Sequence, residues 1–419
     1  MRGEGTSLCF SEAAIHALIT RMQQSKLHFF FLNLGHFLDH LFMLVFATVA
    51  ALALTREWGL SYAELVAYAT PGFVAFGAFA LAAGWLADRW SREGMITVFF
   101  VGIGVASIVT ALAATPLQIA FGLFAIGVFA SIYHPVGIAL VLEGRAKTGM
   151  AVAINGVWGN MGVATAALIT GYLIDHAGWR SAFVVPGAVS IAIGVAYGAM
   201  IWRVAAPKAA AGSKTSATQA VFDKALFIRV IGIVFFTTAL GGLVFQSTTF
   251  ALPKILAERA ANLDVSATLI GSMAFLAFAA GSVGQLVVGF FVDRFSPRHA
   301  FLIVAALQVT FFALMPGLTG WGAVLCAMAF MFAAFGQIPI NDVLVGRVAR
   351  TQWRSRILAV RYMITITIMA AALPLIGIVH GRWGFDTLFV ILAATATAIF
   401  TAVVFLPRQM PQAAAVPAE

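Results

Sequence analysis

The sequence predicts an all-α membrane protein of twelve transmembrane helices arranged as two pseudo-symmetric six-helix bundles. Three observations carry this expectation: a composition that a water-soluble domain does not tolerate, twelve apolar segments of spanning length, and an internal repeat at a fixed offset.

Hydrophobic residues make up 62% of the chain and charged residues 10%, with a mean hydropathy of +0.98. Such values place the chain in lipid. A span needs about 20 apolar residues, so the 419 residues hold about twelve spans and no separate soluble catalytic domain. The formal net charge of +9 sits in short loops, where cations set orientation, and nucleic acid is excluded as a partner. Cys9 and Cys326 are the two cysteines, too few for a disulfide framework or a cysteine-rich metal site.

Residues 1–25 have no compact apolar run ending in a small-residue cleavage site, which predicts a cytoplasmic N-terminal tail. Breaks at Gly, Pro and charge clusters then divide the chain into spans at 26–54, 62–87, 94–114, 117–142, 148–175 and 180–202, and again at 225–252, 266–292, 299–318, 320–346, 356–380 and 384–407. The hydrophilic stretch 203–224 reads as a cytoplasmic linker. The expected organisation is therefore a bundle over 26–202, the linker, a second bundle over 225–407, and a cytoplasmic tail over 408–419.

Counting Lys and Arg on alternate sides of these spans puts nineteen on the side of the termini and linker and five on the other, namely Arg56, Arg180, Lys254, Arg259 and Arg382. Basic loops stay cytoplasmic, so both termini are expected there, in a bacterial cytoplasmic (inner) membrane. The one remaining cation, Arg361, falls inside a span.

The repeat appears in two places. Gly84-Trp-Leu-Ala-Asp88-Arg89-Trp-Ser-Arg92 after span two is matched by Gly289-Phe-Phe-Val-Asp293-Arg294-Phe-Ser after span eight, at an offset of 205. Gly171, Gly178 and Phe183 are matched by Gly377, Gly384 and Phe389 at an offset of 206. A duplicated unit in a membrane chain points to halves that rock about a site near the midplane.

The duplicated Gly-x-x-x-Asp-Arg loop resembles the signature loop of the major facilitator superfamily, and the resemblance covers the whole chain. It implies the fold of that family and a cytoplasmic gate of Gly84, Asp88, Arg89, Arg92, Gly289, Asp293 and Arg294. In that gate Asp88 would lie near the N-terminus of a helix in the other half, where negative charge is favoured. Gly35-His36, Tyr133-His134-Pro135 and Gly159-Asn160-Met-Gly162 further resemble the fosmidomycin-resistance type of exporter. Leu123 stands where drug/proton antiporters carry Arg, and Ala166-Ala167 where they carry Gly-Pro, so uptake and export both stay open.

Ionisable groups in hydrocarbon are costly and mark cavities or partners. Span one carries His36, Asp39, His40 and Met43 on one helical face. Asp39 flanked by His36 and His40 is the expected proton-coupling site, because a desolvated carboxylate and an imidazole can share a proton. His134 precedes Pro135, whose ring bends or loosens span four, and Pro339 holds the related place in span ten. His134, Asn341, Asp342, Arg361, Tyr362 and Met43 are the expected substrate contacts, with Arg361 pairing either with Asp342 or with an anionic substrate. Gly156, Gly159 and Gly162 suit close packing of span five, and Gln246 and Gln285 are further candidates.

Together these residues imply a secondary transporter, not an enzyme, that moves a small organic solute by alternating access. Coupling to protons is expected, with no cofactor and with a functional monomer in the bilayer. A second reading takes His36, His40, Met43 and His134 as ligands for a transition metal such as copper. A third, a membrane-embedded sensor or enzyme, lacks any nucleophile elbow, phosphate loop or zinc-protease motif.

Overall fold

The computed structural model describes residues 12–143, 148–203, 224–263, 265–348 and 351–408. These are helical apart from short turns. The expected linker and C-terminal tail lie outside them, save for Arg203, Lys224 and Arg408 at their edges. Residues 12–25 of the expected N-terminal tail continue the helix of span one, which runs unbroken over Glu12–Val49.

Ten apolar helices follow the expected spans: Ser25–Glu57, Tyr62–Arg89, Arg92–Thr110, Pro116–Leu142, Met150–Ala177, Ser181–Trp202, Ala225–Thr249, Ala267–Val292, Pro297–Leu314 and Gly320–Val348. The last apolar stretch, Ile357–Val404, is interrupted at Gly384, whose φ of 76° and ψ of −178° are not helical. It is therefore two helices, spans eleven and twelve. The chain is an integral membrane protein.

Side-chain caps begin several spans. Ser61 and Glu64 form a reciprocal capping box at span two, with Ser61 N–H donating to Glu64 Oε2 at 2.8 Å and Glu64 N–H donating to Ser61 Oγ at 3.2 Å. Ser91, Thr115 and Ser266 cap spans three, four and eight, and Pro116 takes the first helical position after Thr115. The repeat persists in backbone geometry. Gly178 and Gly384 share a φ of 76°, a left-handed conformation that favours glycine, and Phe183 and Phe389 are both fully buried.

Lipid tails are as apolar as leucine, so these helices associate through close packing of small residues. Spans five and eight join the halves this way. A Cβ at Gly171 would strike the carbonyl of Ala267, and one at Gly271 the carbonyl of Ala167. Asp175, at the end of span five, accepts from Ala267 N (3.2 Å), Thr268 N (2.7 Å) and Thr268 Oγ1 (2.5 Å) and so caps the second half's span eight. On the same face Tyr62 meets the His380 ring edge-on at 5.4 Å, and Gly377 and Gly381 abut Ala63. We call this the far face, opposite the linker face where span six ends and span seven begins. Toward the linker face the apolar packing splits, and Val230, Val234, Val292, Phe301, Val345 and Val403 belong to a core formed by the second half alone. Among the described residues, the contacts of Asp175, Tyr62 and Ala63 join the halves at the far face.

Candidate functional site

Between the halves lies a cavity of about 310 Å³. The first half contributes His40, Met43, Phe73, Phe76 and His134, and the second contributes Gln246, Gln337, Asn341, Arg361 and Tyr362. The wall draws on spans one, two, four, five, seven, ten and eleven.

In span four the α-helix gives way to a π-helical turn over Tyr133–Gly137. Pro135 has no N–H to donate, and a widened turn accommodates that loss. The turn carries His134, whose Nε2 lies 3.3 Å from Asp39 Oδ2. The close partner of Asp39 is therefore His134, across a helix interface, and not its neighbours His36 and His40. Asp39 is 1% exposed, and neither carboxylate oxygen has a well-formed hydrogen bond. Pro339 differs from Pro135: it sits inside an unbroken helix, Gly320–Val348.

The face bearing His36, Asp39, His40 and Met43 is shared between two surroundings. His40 and Met43 line the cavity, whereas His36 and Asp39 are buried against spans four and five. His36 Nδ1 lies 2.8 Å from the carbonyl of Asn155, which places its proton there and leaves the Nε2 lone pair to accept from His40 Nε2 at 3.2 Å. Asn155 is itself fixed, donating to Asn33 Oδ1 and to Tyr133 Oη at 2.9 Å each, while Tyr133 donates to the carbonyl of Leu32 at 2.6 Å. The span-five glycines split in role. Gly162 meets the carbonyl of Phe37, a Cβ at Gly159 would stand 2.6 Å from His36 Nε2, and Gly156 faces open space.

In the second half Arg361 forms an ion pair with Asp342. Asp342 does not line the cavity, but Arg361 does, and its Nε has no protein partner. Tyr362 brings its ring to 6.0 Å from His134, across the boundary between halves, and its hydroxyl is also unpartnered. Asn341 Oδ1 accepts from Thr237 Oγ1 at 3.3 Å. Gln285 is drawn away from the cavity to accept from Asn160 Nδ2 at 2.7 Å.

At the linker face Asp88 pairs with Arg92 of its own half at 2.8 Å, and Arg92 with Glu143 at 3.4 Å. The Asp88 side chain is 65% exposed, and among the described residues its partner is Arg92. Arg89 stacks on Trp85 at 4.3 Å and Arg294 on Phe290 at 3.6 Å. Gly84 would carry a Cβ in ordinary contact with Pro135, and Gly289 faces open space. The side chain of Asp293 lies outside the described residues. Among the described residues the charge–helix contact between halves is that of Asp175 on the far face.

The ligand nitrogens of His36, His40 and His134 lie within 4.8 Å of one another, a grouping that could hold a transition metal ion. Composition and spacing carry no signal for Asn33 or Thr238. Polar residues of these types are common in spans, and only the helix register shows which of them meet.

Two six-helix halves joined at one face around a largely apolar cavity that holds a few polar side chains define the architecture of a membrane transport protein. The chain belongs to the major facilitator superfamily, whose sequence profile, described as Major Facilitator Superfamily, matches residues 32–260 and 234–419. It is similar to the gallate transporter of Pseudomonas putida, at 25% identity over 287 residues covering 61% of this chain and 63% of that protein. It is also similar to the niacin transporter NiaP of Acinetobacter baylyi, at 29% over 186 residues covering 42% and 41%. The match thus spans less than two-thirds of the length of these curated relatives. Among solved structures, a bacterial homolog to the human lysosomal transporter Spinster shares the fold, with a TM-score of 0.67 at 16% identity over 91% of this chain and 95% of that one.

Proposed function

We propose that this protein is a secondary transporter that moves a small organic solute by alternating access, with protons as the coupling ion. One observation carries the reading. The cavity between the halves is walled on one side by the His134 and His40 imidazoles, with the buried Asp39 carboxylate behind them, and on the other by Arg361 and Tyr362. A carboxylate held at 1% exposure with one imidazole contact gains or loses a proton when the cavity changes its access, and His134 links that event to the solute's position. The relatives named for gallate and niacin support a solute of small organic type. A far face closed by contacts between the halves suits one of the two states that alternating access requires.

The test is uptake into liposomes holding the purified protein, with an imposed pH gradient and a panel of labelled small solutes. Accumulation that collapses when the gradient is dissipated supports the reading, and its dependence on which side is acid gives direction. The resemblance to fosmidomycin-resistance exporters favours antiport. No gradient-dependent movement of any panel member sinks the proposal.

A second reading, transition-metal transport, is favoured by the convergence of His36, His40 and His134. Metal-dependent uptake lost in a His40→Ala, Met43→Ala double variant supports it, and equal uptake by that variant removes it.

A further inference from the structure

Three imidazoles from two helices converge on one point beside the cavity. His36 and His40 are one turn apart on span one, His134 lies across from them on the π-helical turn of span four, and one nitrogen of each falls within 4.8 Å of the others. Two nitrogens bound to one tetrahedral zinc ion at about 2.0–2.1 Å stand about 3.3 Å apart. His36 Nε2 and His40 Nε2 already stand 3.2 Å apart, and the His134 ring meets both of theirs edge-on, at centroid distances of 5.3 and 5.5 Å.

The surroundings suit a ligating set. A metal-bound imidazole gives the proton of its second nitrogen to a carbonyl or carboxylate, which fixes tautomer and ring orientation. His36 Nδ1 does this at 2.8 Å from the Asn155 carbonyl. Three neutral imidazoles leave a divalent charge uncompensated in a medium of low dielectric, so an anion is needed close by. Asp39 stands 3.3 Å from His134 Nε2, is 1% exposed, and has no well-formed hydrogen bond at either carboxylate oxygen. His40 and His134 are partly exposed and line the cavity, which gives an ion its way in.

All four side chains belong to the first half. Asn155 of span five bonds to Asn33 of span one and Tyr133 of span four, and Gly162 packs on Phe37, so the three helices are tied to one another and not to the second half. Rocking of the halves leaves these contacts in place.

We infer that His36, His40 and His134 form a resident site for a zinc-type divalent cation, with Asp39 as its counter-charge, and that the ion stays on the protein. Metal transport would make the same ion cargo. Within the transport reading above, on which this consequence rests, the bound ion clamps span one to span four and arrests solute movement.

The test is zinc binding to purified full-length protein in lipid nanodiscs, with magnesium as the control, because imidazole suits zinc and not magnesium. Wild type is expected to bind one zinc ion per chain, and zinc-edge X-ray absorption should show imidazole scattering with nitrogen neighbours at about 2.0–2.1 Å. His40→Ala should weaken binding by about tenfold or more, as should Asp39→Asn, the usual loss when a group around a metal is removed. Zinc should raise the melting temperature of wild type and leave that of His40→Ala unmoved. An oxygen-only shell, or affinity unchanged in His40→Ala, overturns the inference. If that variant does not fold, the wild-type absorption spectrum decides alone. Accumulation of radioactive zinc inside liposomes holding the protein makes the ion cargo and also overturns it. Zinc should stop solute movement by wild type and a chelator should restore it; movement that continues with the site filled defeats the arrest. Zinc bound in this way by a protein that moves no solute would defeat the transport reading and leave the site standing. Gradient-driven solute movement by a protein that binds no zinc would do the reverse.

Discussion

His134 Nε2 of span four stands 3.3 Å from Asp39 Oδ2 of span one, and the π-helical turn at Tyr133–Gly137 is what carries the imidazole there. The contact crosses two helices of the same half, so it can respond to helix movement in a way that a contact within one helix cannot. Its neighbours are held by groups that leave little room for substitution, and the first prediction follows from that.

Gly159→Ala places a methyl 2.6 Å from His36 Nε2, on a ring anchored at 2.8 Å to the Asn155 carbonyl. The ring must shift, breaking that hydrogen bond and the contact with His40. Overpacking of this kind costs about 1–3 kcal/mol. A lowered melting temperature together with reduced transport is expected. A variant indistinguishable from wild type in both would show that the ring has space that the packing denies.

Asn155→Leu removes the donor to Asn33 Oδ1 and Tyr133 Oη and leaves a buried amide oxygen unpaired, at a cost of about 1–3 kcal/mol. Asn33→Leu should cost a similar amount. The double variant should lose less than the sum of the singles, because the two residues share one network. Strict additivity in thermal unfolding would contradict the network.

Asp175→Ala removes the cap that the first half places on span eight of the second. A helix cap is worth about 1 kcal/mol, so the far-face closure should weaken about fivefold. Spin labels flanking the far face of spans five and eight should report a larger long-distance population in the variant. An unchanged distance distribution would remove Asp175 from the closure.

Glu258, in the short helix Leu252–Arg259 outside the spans, gives a prediction for pH. Burial pushes its pKa up, but the hydrogen bond and charge of His380 at 2.9 Å and the ammonium of Lys254 at 3.4 Å outweigh burial and hold it below the usual carboxylate value. A depressed pKa contributes stability above the unfolded value, about 4.3, and that contribution is lost as pH falls through the folded value. The melting temperature should therefore fall more steeply on acidification below about pH 4.5 in wild type than in Glu258→Gln. Parallel curves would contradict the assignment. Tyr62 of the first half packs on His380, so the same acid step should loosen the far face.

Much of this architecture is legible in the sequence because its signals are local or periodic. Hydropathy marks the spans, and Gly178 and Gly384 repeat at one offset because both make the same left-handed turn. The polar cluster of span one is legible too, since three- and four-residue spacing is a property of a single helix. What spacing does not carry is register between helices. Asp39 reads as a partner of His36 and His40, its sequence neighbours, yet the packing of Gly162 on Phe37 and the wide turn at Pro135 bring His134 to it instead. Gln246 reads in the sequence only as a further candidate in span seven, and the packing leaves both its amide atoms unpaired. The Asp88 loop is equally compatible with a closed and an open linker face, so the conformational state is not written in the motif.

The most direct test of proton coupling through Asp39 is proton movement itself, followed with a pH-sensitive dye inside liposomes as a transported solute is added without an imposed gradient. Wild type should show a solute-driven pH change, and Asp39→Asn should bind the solute with near wild-type affinity but move no protons. A solute-driven pH change of wild-type size in Asp39→Asn would contradict the account.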